Sequence, residues 1–159
     1  MSGFSLTTVF ILWVCGISFL FLLARDRVCT VLLKSPFPPV LNYYLIVTPL
    51  VLVEEYLTCE LPYFSCIRVT LIVFWIFYGF LFLIQRYLWV SWQKTVIVAG
   101  ILGWICEFAG AGRWYVFLVS VPIGIVLSIL CFLIYAVLTL FTAYYLDRAF
   151  HPAPPETPS

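Results

Sequence analysis

Long uncharged runs alternate along the chain with short breaks that carry charge or proline, and the lengths of the runs predict the elements. Residues 4–24 hold 21 positions without a charge, enough to cross a hydrocarbon core of about 30 Å at a rise of about 1.5 Å per residue. Residues 25–39 bring Arg25, Asp26, Arg27 and Lys34, then Pro36, Pro38 and Pro39. Prolines that cannot continue a helix predict a loop there. Residues 40–53 give only 14 uncharged positions before Glu54 and Glu55, so a second span is either short or carries those carboxylates within it. Residues 69–85 predict a third span. Residues 95–112 predict a fourth, in which Gly100, Gly103, Gly110 and Gly112 permit close helix packing.

The last uncharged run, residues 114–146, has 33 positions, about 50 Å as one helix and longer than the bilayer core. A break at Pro122 and Gly124 is expected, with 114–121 an interfacial or re-entrant approach and 123–146 the fifth span. Residues 151–159 contain four prolines and almost no apolar side chain, the pattern of a disordered tail. The expected architecture is all-α: a polytopic transmembrane helix bundle of about five spans, or four if 95–112 does not cross. It forms a single domain over residues 1–148 with a disordered, proline-rich tail over 149–159.

Composition agrees with this class. The 159 residues include 31 aromatics but only 15 charged side chains, and the mean hydropathy is +1.15, which leaves too little polar surface to cover a water-soluble globule. Net charge is +1 and the eight Lys and Arg are dispersed, so there is no electrostatic footprint for nucleic acid. The N-terminus lacks the basic segment of a secretory signal, and its apolar run exceeds the 7–15 residues typical of one. That run is expected to stay as a membrane helix. The expected location is a membrane, either the bacterial inner membrane or the endoplasmic reticulum.

Five spans with the N-terminus outside place Arg25, Arg27, Lys34, Arg86, Lys94 and Arg148 on the cytoplasmic side, and only Arg68 and Arg113 on the other. This satisfies the positive-inside rule. The same arrangement gathers Glu54, Glu55, Glu60 and Glu107 at the non-cytoplasmic ends of spans two and four, beside both of those arginines. Glu107 stands in a stretch, 96–112, otherwise free of charge. An ionisable group at membrane depth costs roughly 2.5–3.5 kcal/mol on insertion scales, so it faces a partner, a cavity or a substrate unless it rises to the interface. Pairing of Arg113 or Arg68 with one of these carboxylates is expected, because an isolated charge near hydrocarbon is costly.

The inventory narrows the chemistry. The single histidine is His151, which rules out Ser/His/Asp catalysis and a histidine-rich metal site. The six cysteines form no CxxC pair, so no metal or cofactor is expected. Cys59 and Cys66 lie in the predicted outer loop, as a disulfide in an oxidising compartment or as small apolar residues. Glu54, Glu55 and Glu107 are the candidate catalytic acids. Two adjacent carboxyls in an apolar setting can share a proton, and an acid that holds one can protonate an alkene. Aromatic faces then stabilise the resulting cation, and Tyr56, Trp104, Trp114 and Tyr115, with Arg113, are the candidate substrate-binding residues. Trp and Tyr also belong at membrane interfaces regardless of chemistry.

The stretch Trp104-Ile-Cys-Glu107-Phe-Ala-Gly110-Ala-Gly112-Arg113-Trp114-Tyr115 resembles the Glu, Gly and Trp/Tyr pattern of small polytopic carotenoid and terpenoid enzymes, the membrane lycopene cyclase domains and carotenoid hydratases. The pair Glu54-Glu55 after Pro49 is similar to the Pro-x-Glu-Glu motif of the cyclase domains, with Pro49 five residues before Glu54 where that motif has a spacing of two. The resemblance covers about 25 residues. It implies proton-initiated cyclisation or hydration of an isoprenoid by Glu54, Glu55 and Glu107, with a membrane lipid or isoprenoid as the partner molecule. Two other readings use the same residues: a non-catalytic subunit whose charges bind helices, a protein partner or a second copy, and a small ion or proton conduit.

Overall fold

A computed structural model describes residues 8, 10–58, 63–88, 90–110 and 112–151, and the described residues with regular structure are all helical. A π-helical turn, Phe10–Cys15, leads into α1 (Gly16–Leu33). Next come α2 (Pro39–Thr58), α3 (Tyr63–Leu88) and α4 (Trp92–Ile105), which runs on as a second π-helical turn, Cys106–Gly110. A short α5 (Tyr115–Val119) precedes the long α6 (Val121–Phe150). Three segments are long and apolar enough to cross a membrane: Pro39–Leu57, Thr70–Leu88 and Val121–Phe150. Among the described residues the architecture is all-α, and these three helices are consistent with an integral membrane protein.

The boundaries depart from the expected ones in instructive places. The predicted loop at 25–39 is mostly helix, since α1 continues through Arg25, Asp26 and Arg27 to Leu33. Arg25 and Asp26 have partners there. Tyr144 donates a hydrogen bond to Asp26, Arg148 lies 3.8 Å from the same carboxylate, and the Arg25 guanidinium sits over the rings of Phe21 and Tyr144. Helix α2 carries Glu54 and Glu55 inside it, the second of the two alternatives for that span. Pro122 does not break a helix. It occupies the first turn of α6, where its missing N–H costs nothing, and the chain bends instead at Ser120, whose backbone is extended.

Helix α6 is the central post, packed against α1, α2, α3, α4 and α5. Close approach relies on glycine, because a Cβ at Gly100 would meet the ring of Phe132 at 2.6 Å and one at Gly103 would overlap the ring of Tyr135. Several polar side chains of the interior find partners across the helices. Gln85 donates to the Ala143 carbonyl at 2.8 Å, Tyr43 donates to the Tyr78 carbonyl at 3.0 Å, and Asn42 donates to the Leu32 carbonyl at 3.0 Å and to the Tyr145 hydroxyl at 3.1 Å. Asn42 thereby ties the α1–α2 hairpin to the last helix. Of the predicted tail 149–151 are described: Ala149 and Phe150 are helical and close α6, which therefore runs past the expected boundary at 148, and the His151 amide donates to the Asp147 carbonyl; 152–159 lie outside the described residues.

Candidate functional site

Glu107 belongs to the π-helical turn Cys106–Gly110 rather than to regular α-helix, a local widening that is common at functional sites. The turn ends at Gly112, whose φ of +71° is a left-handed conformation suited to glycine. The reversal brings the Arg113 and Trp114 amides back onto the carbonyls of Glu107 and Phe108, at 3.4 and 3.3 Å. It also returns the Arg113 side chain to Glu107, with Nε 3.2 Å from Oε2. The predicted pairing of Arg113 with a carboxylate is therefore present. The other oxygen of Glu107 accepts a hydrogen bond of 3.0 Å from the hydroxyl of Tyr135 on α6. The Glu107 side chain is 24% exposed and that of Arg113 64%.

Glu54 and Glu55 approach from α2, each only 7% exposed. Glu55 is close enough to feel the charges of Glu107 and Arg113 and accepts a hydrogen bond from Thr70 on α3. Glu54 lies within electrostatic reach of Tyr78 and Tyr135. Glu55 of α2, Glu107 and the Arg113 guanidinium thus lie within electrostatic reach of one another, with Glu54 next to Glu55 in the chain. They do not close into an ion cage, for among the described residues no three His, Cys, Asp or Glu side chains gather as metal ligands. Cys66 falls within α3 rather than in the expected loop; its side chain, that of Arg68, and residues 59 and 60 lie outside the described residues.

The four candidate aromatics are placed differently. Tyr56, Trp104, Trp114 and Tyr115 are all exposed and face the surroundings of the bundle rather than an enclosed space around Glu107. Trp104 stacks on the buried Phe108, with ring centroids 5.5 Å apart, and Phe108 in turn meets Phe117 at 5.6 Å. These contacts brace the π turn from behind. Tyr135, Thr70, Tyr78 and Cys131 are the neighbours of the acids that sequence reading passed over. Tyr135 carried a signal, since a tyrosine far from either end of a long apolar run needs a partner for its hydroxyl.

A groove of about 500 Å³ lies at a different place, between α1 and α2, with Phe141 of α6 contributing to its lining. Apart from Arg27 its wall is apolar, including Val31, Ile46, Pro49 and Leu50. Comparison with protein-family models, curated proteins and solved structures finds no match to this chain.

Proposed function

We propose that this integral membrane protein crosses the bilayer five times, with 10–33 and 92–110 joining the three long apolar helices, and that its carboxylate centre transfers a proton to a membrane-dissolved isoprenoid. The observation that carries the reading is that Glu55 lies within electrostatic reach of Glu107 and Arg113, while Tyr135 donates to the same Glu107. Buried ionisable groups in a membrane segment are expensive and mark functional centres. The class of substrate follows from the resemblance to carotenoid and terpenoid cyclases and hydratases.

The chemistry would run as follows. A protonated carboxyl among Glu54, Glu55 and Glu107 gives its proton to an alkene carbon, leaving a carboxylate and a tertiary cation. A second double bond or a water molecule attacks the cation, and a proton returns to a carboxylate to complete cyclisation or hydration. Arg113 and the Tyr135 hydroxyl would hold Glu107 in place. The test is product formation from a panel of isoprenoids by membranes with equal amounts of each protein. Glu107→Gln and Glu55→Gln should lower turnover by ~10²- to 10⁴-fold, the range for loss of a general acid or base. Turnover that survives undiminished in both would remove the catalytic role.

A second reading, a non-catalytic membrane subunit, draws on the ion pair and hydrogen bond that already occupy both oxygens of Glu107 and on the outward aromatics, which suit a partner helix. On that reading Glu107→Gln and Arg113→Gln both reduce folded yield, and no substrate is converted by the wild type. A proton conduit finds less support. Hydroxyls along the interior donate to main-chain carbonyls, Thr139 to Tyr135 at 2.8 Å, Thr142 to Thr139 at 3.0 Å and Tyr43 to Tyr78 at 3.0 Å, so their protons are committed rather than passed along.

A further inference from the structure

The groove between α1 and α2 is lined by aliphatic and aromatic side chains and by one cation, Arg27. The bond from Asn42 to the Leu32 carbonyl sets the register of the two helices. Arg27 lies five residues before Leu32 and Val47 five beyond Asn42, about 7.5 Å inward on each helix. The guanidinium therefore stands midway along the wall, with Leu45 and Ile46 towards the α1–α2 loop and Pro49 and Leu50 deeper.

The cations near the groove differ in their partners. Arg25 and Arg148 both lie against Asp26, at 3.7 and 3.8 Å. Arg27 has no carboxylate partner among the described residues, and it is the one of the three that lines the groove. The volume of about 500 Å³ falls within the ~300–1,000 Å³ of small-molecule sites. Basic pockets between membrane helices on the cytoplasmic side suit anionic lipid head groups, and this is the side to which the distribution of Lys and Arg assigns Arg27.

We infer that this groove binds one anionic phospholipid of the surrounding bilayer, its phosphate at Arg27 and an acyl chain against Ile46, Leu50 and Phe141. The site is independent of the proton chemistry assigned to Glu54, Glu55 and Glu107. A zwitterionic phospholipid with the same chains enters the groove less well, because its own cation opposes Arg27.

The experiment uses the full-length protein in nanodiscs containing equal amounts of phosphatidylglycerol and phosphatidylcholine with matched chains. After release into detergent, retained lipid is counted by native mass spectrometry. Wild type should keep one phosphatidylglycerol in preference to phosphatidylcholine. Arg27→Gln should reduce that preference roughly five-fold, the effect of one basic residue near an anionic surface. Arg25→Gln, which removes a cation already engaged by Asp26, should leave the preference in place. Leu45→Trp fills the groove from an exposed position on its wall and should lower retention of both lipids. Arg27 and Leu45 are exposed, so these variants should fold, and monodispersity on size exclusion checks that they do. Equal retention of the two lipids by wild type, or a preference indifferent to Arg27→Gln and Leu45→Trp, would overturn the proposal. So would a dimer mass that Leu45→Trp abolishes, which would make a second copy of the chain the occupant.

Discussion

Replacing Gly103 by alanine adds one methyl group and should disturb the acid centre from the opposite side of Tyr135. The new Cβ would overlap Cγ, Cδ1 and Cδ2 of the Tyr135 ring. Because Cγ is bonded directly to the Cβ of Tyr135, the ring cannot swing clear as the tip of a long side chain would. Either α4 and α6 move apart or Tyr135 leaves its rotamer, and its 3.0 Å bond to Glu107 is lost. Overpacking of this kind costs ~1–3 kcal/mol, and losing a hydrogen bond to a charged group costs ~1.5–3 kcal/mol. Alanine's better helix propensity returns ~1 kcal/mol. The net loss is therefore roughly 1.5–5 kcal/mol, centred near 3, or roughly 6–12 °C in melting temperature for a chain of this size.

Thermal unfolding in a fixed detergent measures the loss, and two companions isolate its cause. Gly110→Ala, where a Cβ meets nothing within 4 Å, should be nearly neutral. In a Tyr135→Ala background, where the ring is gone, Gly103→Ala should become neutral or stabilising. A Gly103→Ala protein that melts with the wild type would refute the reasoning. A penalty of equal size in the Tyr135→Ala background would do the same, since it would place the cost somewhere other than the ring.

Gly112→Ala should destabilise by ~1–2 kcal/mol through the left-handed backbone alone, because a Cβ there touches nothing; denaturant titration reads this, and a neutral result would mean that the turn relaxes without cost. Arg113→Gln should weaken the fold by less than the 3–5 kcal/mol of a fully buried pair, since this guanidinium is 64% exposed, and Glu107→Gln combined with it should recover part of the loss in a double-mutant cycle. Asp26→Asn should destabilise the fold, because it removes the carboxylate that accepts from the Tyr144 hydroxyl and lies against the Arg25 and Arg148 guanidiniums; thermal unfolding reads the loss, and an unchanged melting temperature would mean that these contacts add nothing. With cysteine at position 34 as a reporter, an impermeant maleimide should label from the cytoplasmic side; labelling only from the opposite side would reverse the orientation.

Some of this protein was already decided by the order of its residues. The class was legible because hydrophobic run length is a property of the chain alone, and runs of this length have no other solvent than a bilayer. The nearness of Glu55 to Glu107 and Arg113 was an expectation of alternating spans, which would put every second connection on the same side. Arg113 could be paired in advance for a similar reason, since few partners compete for it. Tertiary structure decided the rest. Whether Arg25 and Asp26 end a helix or lie inside one depends on Tyr144 and Arg148, more than a hundred residues away, which satisfy those charges. Which aromatics turn inward is equally invisible to spacing. Trp104 and Trp114 face outward while Tyr135 reaches Glu107, because glycines at 100 and 103 let α6 come close enough for a tyrosine to cross the gap. The groove beside Arg27 exists only where α1 and α2 fail to close over Phe141, a fact of packing that no local pattern encodes.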